Sequence, residues 1–254
     1  MLLDTSMLLA GLGCAVIIGM AKGGLSGGLG TLVVPILSLS MDPRAAAALV
    51  LPLLIISDFF AIWAFRHRWH WGHTWVLLVG AALGVVFGTF TFSWVSEPAM
   101  RLMMGVISVA FVAANLTGAT RAADTPQPPA LGAGVFWGAL SGFTSFTAHA
   151  GGPPVQIYLV PRGLDKRTFQ ATVTLFFTIL NLAKVPPYMA LGQFTQPIML
   201  TALVLMPAAA IGVFIGFRIT GLIPEKPFFR LVLFLLGITG LKLMWDGLTG
   251  LGWL

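Results

Sequence analysis

The sequence predicts an all-α polytopic membrane protein, arranged as an inverted-topology repeat of two halves. Three observations predict it. The first is composition: of 254 residues, 57% are hydrophobic and only 9% charged, against about 45–50% and about 25% in a soluble domain. That balance excludes an ordinary soluble globule, and it excludes disorder, which needs high charge and low hydrophobicity. The second is that apolar segments of membrane-crossing length recur along the whole chain. At about 20 residues per crossing, little remains for a separate soluble domain. The third is that both halves carry the same features in the same order.

The segments run as follows. Met7–Met20 comes first, and after it the break Lys22-Gly-Gly-Leu-Ser-Gly-Gly-Leu-Gly30. Thr31–Leu39 is short. Ala45–Phe65, Thr74–Val95 and Ala99–Gly118 are long. Residues 1–121 form the first half, and 122–129, within the polar stretch Arg121–Pro129, form a linker. The second half, 130–254, runs Ala130–Phe143, a polar break Thr144–Pro154, short Val155–Val160, then Thr168–Leu191, Pro197–Phe217 and Phe228–Trp245. Met7–Met20 has no basic residue before it and no clear cleavage site after it, so it reads as a retained membrane segment rather than a signal peptide.

A shift of 123 residues superposes the halves. It brings Gly19 onto Gly142, Gly28 onto Gly151, Asp42 onto Asp165, Arg44 onto Arg167 and Asp58 onto Asn181. Each half then holds one broken or re-entrant segment plus three full transmembrane helices, eight to ten membrane segments in all. An odd number of crossings per half inserts the second half upside down. Charge placement agrees. With the loop Arg66–His73 in the cytoplasm, that side collects Arg66, Arg68, Arg121, Arg162, Lys166, Arg167, Arg218, Lys226 and Arg230, and the outer side only Arg44 and Arg101. This is a positive-inside bias, and it places both termini outside. Trp63, Trp69, Trp71, Trp75 and Trp94 sit near segment ends, as an aromatic belt does. The net charge of +6 is spread too thinly to form a basic patch, so no nucleic-acid partner is expected.

Two interrupted hydrophobic segments at matching places in two halves are the sequence pattern of a secondary transporter, with its site where the breaks meet. Irregular backbone at membrane depth must line protein or a watery cavity. In the first break, glycines let backbone N–H groups approach a ligand, and the following helix N-terminus is a ready anion site. The candidates there are Lys22, Gly24, Ser26, Gly27 and Gly28. The second break supplies Thr147, His149, Gly151 and Gly152, with Gln156 in the next helical turn. Close helix packing is the competing reading for glycine-rich stretches. Asp58, Asn181 and Lys184 are intramembrane polar residues, functional by default. An unpaired carboxylate would repel an anion, so Asp58 is expected to organise Lys22 or Lys184, whereas Asn181 and Lys184 can donate to one. His149 is a donor or a proton carrier. Pro186-Pro187 should interrupt the helix beyond Lys184.

Other chemistry finds little support. His67, His70 and His73 are spaced by three, as metal ligands on a helix face can be, but two arginines and no acidic residue among them make a poor cation site. No P-loop and no His-Glu-x-x-His run occurs. The single cysteine, Cys14, allows no disulfide within the chain. The expectation is no enzyme, no cofactor and no metal. The alternatives are an anion channel, or a metal-handling or intramembrane enzyme using His149.

At these residues the chain resembles the TauE/SafE sulfite exporter family of bacterial membrane transporters, over nearly its whole length. The resemblance rests on Gly19-Met-Ala-Lys-Gly-Gly-Leu-Ser-Gly-Gly-Leu-Gly30 leading to Pro35, on its counterpart Gly142–Pro154, and on Asp42-Pro-Arg44 before the next helix. The second half departs from the family pattern: Ala-His-Ala-Gly-Gly-Pro-Pro replaces most glycines, and Tyr158 stands opposite Pro35. The resemblance implies export of a small sulfur-containing anion, sulfite or a related oxyanion or organosulfonate, through the inner membrane. Its partners would be that anion and the lipid bilayer, with homo-oligomerisation open. Outward movement of one negative charge gains about 2.3 kcal/mol per 100 mV, so an exporter needs no further coupling.

Overall fold

In the computed structural model the described residues are 5–25, 29–65, 68–92, 94–117, 125–219, 222 and 225–253, with side chains described from 9 and, in the last helix, from 230. They form ten α-helices and no strand. The helices are α1 (Thr5–Lys22), α2 (Leu29–Leu37), α3 (Pro43–Ala64), α4 (Trp71–Phe92), α5 (Glu97–Leu116), α6 (Leu131–Ala148), α7 (Gly152–Leu159), α8 (Lys166–Ala190), α9 (Gln196–Ile219) and α10 (Glu225–Gly250). A 3₁₀ turn, Val160–Arg162, follows α7.

Six of these, α3, α4, α5, α8, α9 and α10, are long and apolar enough to cross a membrane. At about 1.5 Å per residue, α2 with nine residues and α7 with eight cover less than half the hydrocarbon thickness of about 30 Å. They are the half-helices that follow the two breaks.

Local chemistry sets the helix starts. The Asp42 carboxylate accepts from the N–H groups of Arg44 (2.7 Å) and Ala45 (3.1 Å), with Pro43 in the first turn. Asp165 repeats this for α8, accepting from Arg167 (3.1 Å) and Thr168 (3.2 Å). Both are N-caps that satisfy otherwise orphaned donors, and they are the pair that the 123-residue shift superposes.

Two sequence expectations need correction. The polar stretch Thr144–Pro154 is mostly helical, and the break narrows to His149–Gly151. The hydroxyls there bond back into their own helix: Thr144 Oγ1 donates to Leu140 O (2.8 Å) and Thr147 Oγ1 to Phe143 O (3.0 Å). They therefore do not compete with helix formation. Pro186-Pro187 does not interrupt α8, which runs on to Ala190. The turn carrying the prolines is anchored by Tyr188, fully buried, whose hydroxyl donates to Phe146 O at 2.5 Å. Packing and such bonds let membrane helices carry proline.

Helices pack in pairs that exchange when α1–α5 are exchanged with α6–α10: α1 lies on α9 and α6 on α4, while α5 meets its own counterpart α10 and α3 meets α8. Small residues permit the close pairs. A Cβ on Gly19 would run into the Ala209 carbonyl, and one on Gly84 into the Ala139 carbonyl. The core lies on α3, where Ala46, Ala47, Ala48, Leu51 and Leu53 are buried. The periphery is apolar, with Trp75, Phe87, Phe90, Leu203, Phe214 and Phe234 exposed. Such a surface matches lipid rather than water.

Candidate functional site

The two breaks meet. α1 ends at Lys22, and Gly24 after it takes φ 123°, a left-handed conformation that suits glycine. α6 ends at His149, a non-glycine residue with φ 51°. Its N–H donates to Ser145 O (3.1 Å), and the next N–H, of Ala150, donates to Thr144 O (3.2 Å). This left-handed cap satisfies the last carbonyls of the helix. It also turns the imidazole inward.

Between the breaks lies a cavity of about 100 Å³. Lys22 from α1, Gly30 and Thr31 from α2, Leu54 from α3, Ser145 and His149 from α6 and Gly152 and Gln156 from α7 line it. The α8 face Phe169, Gln170, Val173, Thr174, Phe177 and Asn181 closes it. The N-terminal turns of both half-helices thus reach one cavity. Their donor sets differ, however. Pro153 and Pro154 have no N–H, and the Val155 N–H is directed to Gly151 O at 3.5 Å. Gly152 supplies the open N–H of that turn.

Two polar networks back the wall. In the first, Lys22 Nζ lies 2.5 Å from Asp58 Oδ1, and Asn181 Nδ2 donates to Asp58 Oδ2 at 2.6 Å. Asp58 and Asn181 are 123 residues apart, the repeat shift itself, so the two residues that the shift superposes are in contact. Lys22 also stands 5.2 Å from the Phe177 ring centroid, within cation–π range. In the second network, Lys184 is fully buried. Its Nζ donates to Ser145 O (3.1 Å), Ser145 Oγ (3.0 Å) and His149 Nδ1 (2.8 Å). His149 Nε2 lies 2.9 Å from Ala47 O. A carbonyl can only accept, so Nε2 carries the ring proton and Nδ1 is left to accept from Lys184.

The sequence of the sulfite exporter TauE/SafE family matches residues 11–243. The chain belongs to the TauE/SafE family. Comparison with curated proteins and with solved structures gives no match. TauE/SafE proteins are membrane transporters rather than enzymes, and the six long apolar helices make this one a multi-pass membrane protein.

Of the residues singled out from sequence, Lys22, His149, Gly152, Gln156 and Asn181 reach the cavity of this TauE/SafE chain. Asp58 organises Lys22, as expected. Lys184 does not pair with Asp58 and lies behind Ser145 and His149, off the wall. Gly24, Thr147 and Gly151 are also off the wall. Thr147 Oγ1 is spent on its own helix, and the Gly151 carbonyl accepts from Ser141 Oγ at 2.8 Å. Ser26, Gly27 and Gly28 fall outside the described residues, as does His67. His70 and His73 do not project outward as a ligand pair. Their ring centroids lie 4.4 Å apart with the planes tilted by 44°, His73 is buried, and its Nδ1 lies 3.2 Å from the Tyr158 hydroxyl. Among the described residues no three of His, Cys, Asp and Glu come together as a metal site.

Sequence reasoning missed Gln170, Thr174 and Ser145. A signal existed. Gln170, Thr174, Phe177 and Asn181 follow a 4-3-4 spacing, one face of α8. Ser145 is the 123-shift counterpart of Lys22.

Proposed function

We propose that this TauE/SafE protein is a secondary transporter that exports a small sulfur-containing anion, sulfite or a related oxyanion or organosulfonate. It works by alternating access in the bacterial inner membrane, with both termini periplasmic. One observation carries the reading: the two half-helix N-termini and the Lys22 ammonium converge on one cavity. Helix N-termini favour negative charge, and Lys22 is the one charged lysine, arginine, aspartate or glutamate on the described wall. The size supports a small ligand. A cavity of about 100 Å³, against about 10–15 Å³ for one water on the same measure, has room for a small oxyanion or organosulfonate.

The test is sulfite efflux from proteoliposomes under an imposed potential, at two pH gradients. Saturable, potential-driven efflux is expected. Flux that rises linearly with concentration identifies a channel instead. Absence of flux for sulfite and for a panel of oxyanions and sulfonates, from folded protein, overturns the reading.

A further inference from the structure

We propose that the cavity takes its anion as a protonated monoanion, one negative charge bearing an O–H donor, that Asn181 is the residue that selects it, and that Thr174 binds the anion beside it. The inference deepens the reading of the cavity as an anion site and rests on it.

Asn181 is pinned. The Asp58 carboxylate, ion-paired with Lys22 at 2.5 Å, can only accept. The amide group 2.6 Å from Asp58 Oδ2 is therefore the NH₂ end. That leaves Oδ1 as the free end of a side chain only 1% exposed, and Oδ1 has no hydrogen-bond partner among the described residues. Rotating the amide would set oxygen against carboxylate, so Oδ1 stays an acceptor. An unpaired buried acceptor is costly to leave unmade. A ligand in this cavity that reaches Oδ1 relieves it only by donating a hydrogen bond.

Thr174 lies seven residues earlier on the same face of α8 and also lines the cavity. It is 2% exposed, and its Oγ1 too has no hydrogen-bond partner among the described residues. Its neighbours behave otherwise: Thr172 Oγ1 donates to Thr168 O (2.7 Å) and Thr178 Oγ1 to Thr174 O (2.8 Å). The Thr174 hydroxyl is free to donate to a ligand oxygen. Together the two offer one acceptor and one donor, complementary to an X–OH beside an X–O⁻.

Charge points the same way. Lys22 and Asp58 cancel. Lys184 behind the wall has three uncharged acceptors and no carboxylate among its partners. His149 donates to Ala47 O and accepts from Lys184. These four side chains leave at most one uncompensated positive charge, which one negative charge on the ligand balances. For sulfite the matching form is hydrogensulfite.

The test uses two probes of one shape and one charge. At mildly acidic pH, methylphosphonate is a monoanion with a P–OH, whereas methanesulfonate is a monoanion without a donor. Binding of each, and of sulfite, to the full chain in lipid nanodiscs is measured by titration calorimetry. Methylphosphonate is expected to bind about tenfold or more tightly than methanesulfonate, as for a site that loses its hydrogen-bond partner. Asn181→Leu should erase that preference. Thr174→Val should weaken both probes and keep it, and its measurement stands even where Asn181→Leu fails to fold. Equal binding of the two probes by the wild type, or tighter methylphosphonate binding at alkaline pH where it is a dianion, overturns the inference while leaving an anion site. Binding of none of the three anions overturns the anion-site reading, and the inference falls with it.

Discussion

Asp58→Asn isolates the charge that organises the site. The side chain keeps its shape, and its amide oxygen can still accept from Asn181, so the perturbation falls on Lys22. Lys22 and Asp58 have side chains 15% and 2% exposed and lie 2.5 Å apart. Removing one partner of a buried pair costs about 3–5 kcal/mol, because the other charge is left uncompensated. Lys22 is not wholly buried and keeps the Phe177 ring, a contact of roughly 1 kcal/mol, so the lower end, about 3 kcal/mol, is expected. Replacing both partners, Lys22→Met with Asp58→Asn, removes the stranded charge and should recover most of the loss. The assay is unfolding in detergent micelles followed by tryptophan fluorescence, with and without sulfite. A bound anion supplies the missing counter-charge, so sulfite should stabilise the Asp58→Asn protein more than the wild type. Wild-type stability for Asp58→Asn, or a double variant as unstable as the single one, would refute this account.

Other substitutions test the packing and the caps. Gly84→Ala drives a methyl into the Ala139 carbonyl across the α4–α6 contact, whereas Gly13 has open space around a built Cβ. The first should lose about 1–3 kcal/mol and Gly13→Ala almost nothing, read by the same unfolding assay. His149→Ala keeps the strained φ of 51° and removes the bonds to Ala47 O and Lys184. It should cost about 2–3 kcal/mol and abolish saturable flux, while His149→Gly, which relaxes the backbone, should be more stable than His149→Ala yet equally inactive. Bonds from Thr168 and the N–H of Arg167 hold the Asp165 carboxyl below its ordinary range. Its stabilising effect is therefore present at neutral pH and lost as pH falls through the acidic range, and Asp165→Asn should flatten that part of a stability–pH curve. Asp42→Ala should cost about 1 kcal/mol through loss of the α3 cap.

What the sequence alone determined follows from local physics. Transfer of apolar segments out of water identifies the membrane class. Asp42-Pro-Arg44 marks the entry to α3, Asp165 stands at the matching place before α8, and glycine marks the first break. The repeat was legible because equivalent features recur at a constant spacing. The second break was only half legible: Thr144 and Thr147 look like loop residues, but inside a helix their hydroxyls bond the preceding turn. Pro186 and Pro187 misled for a related reason, since Tyr188 anchors the turn they would break.

Only the tertiary structure decided which intramembrane polar groups meet. Lys22, partly buried, and Lys184, fully buried, both lie near one carboxylate, and nothing in their spacing says which one takes it. The crossing of α1, α3 and α8 gives Asp58 to Lys22 and leaves Lys184 to Ser145 and His149. The imidazole is fixed by the carbonyl of Ala47, 102 residues away. The unpaired Oδ1 of Asn181 exists only because its NH₂ is already engaged by Asp58 on α3. Hydrogen bonds of this kind are set by helix packing to within a few tenths of an ångström, and such placement is a property of the assembled bundle rather than of any segment of the chain.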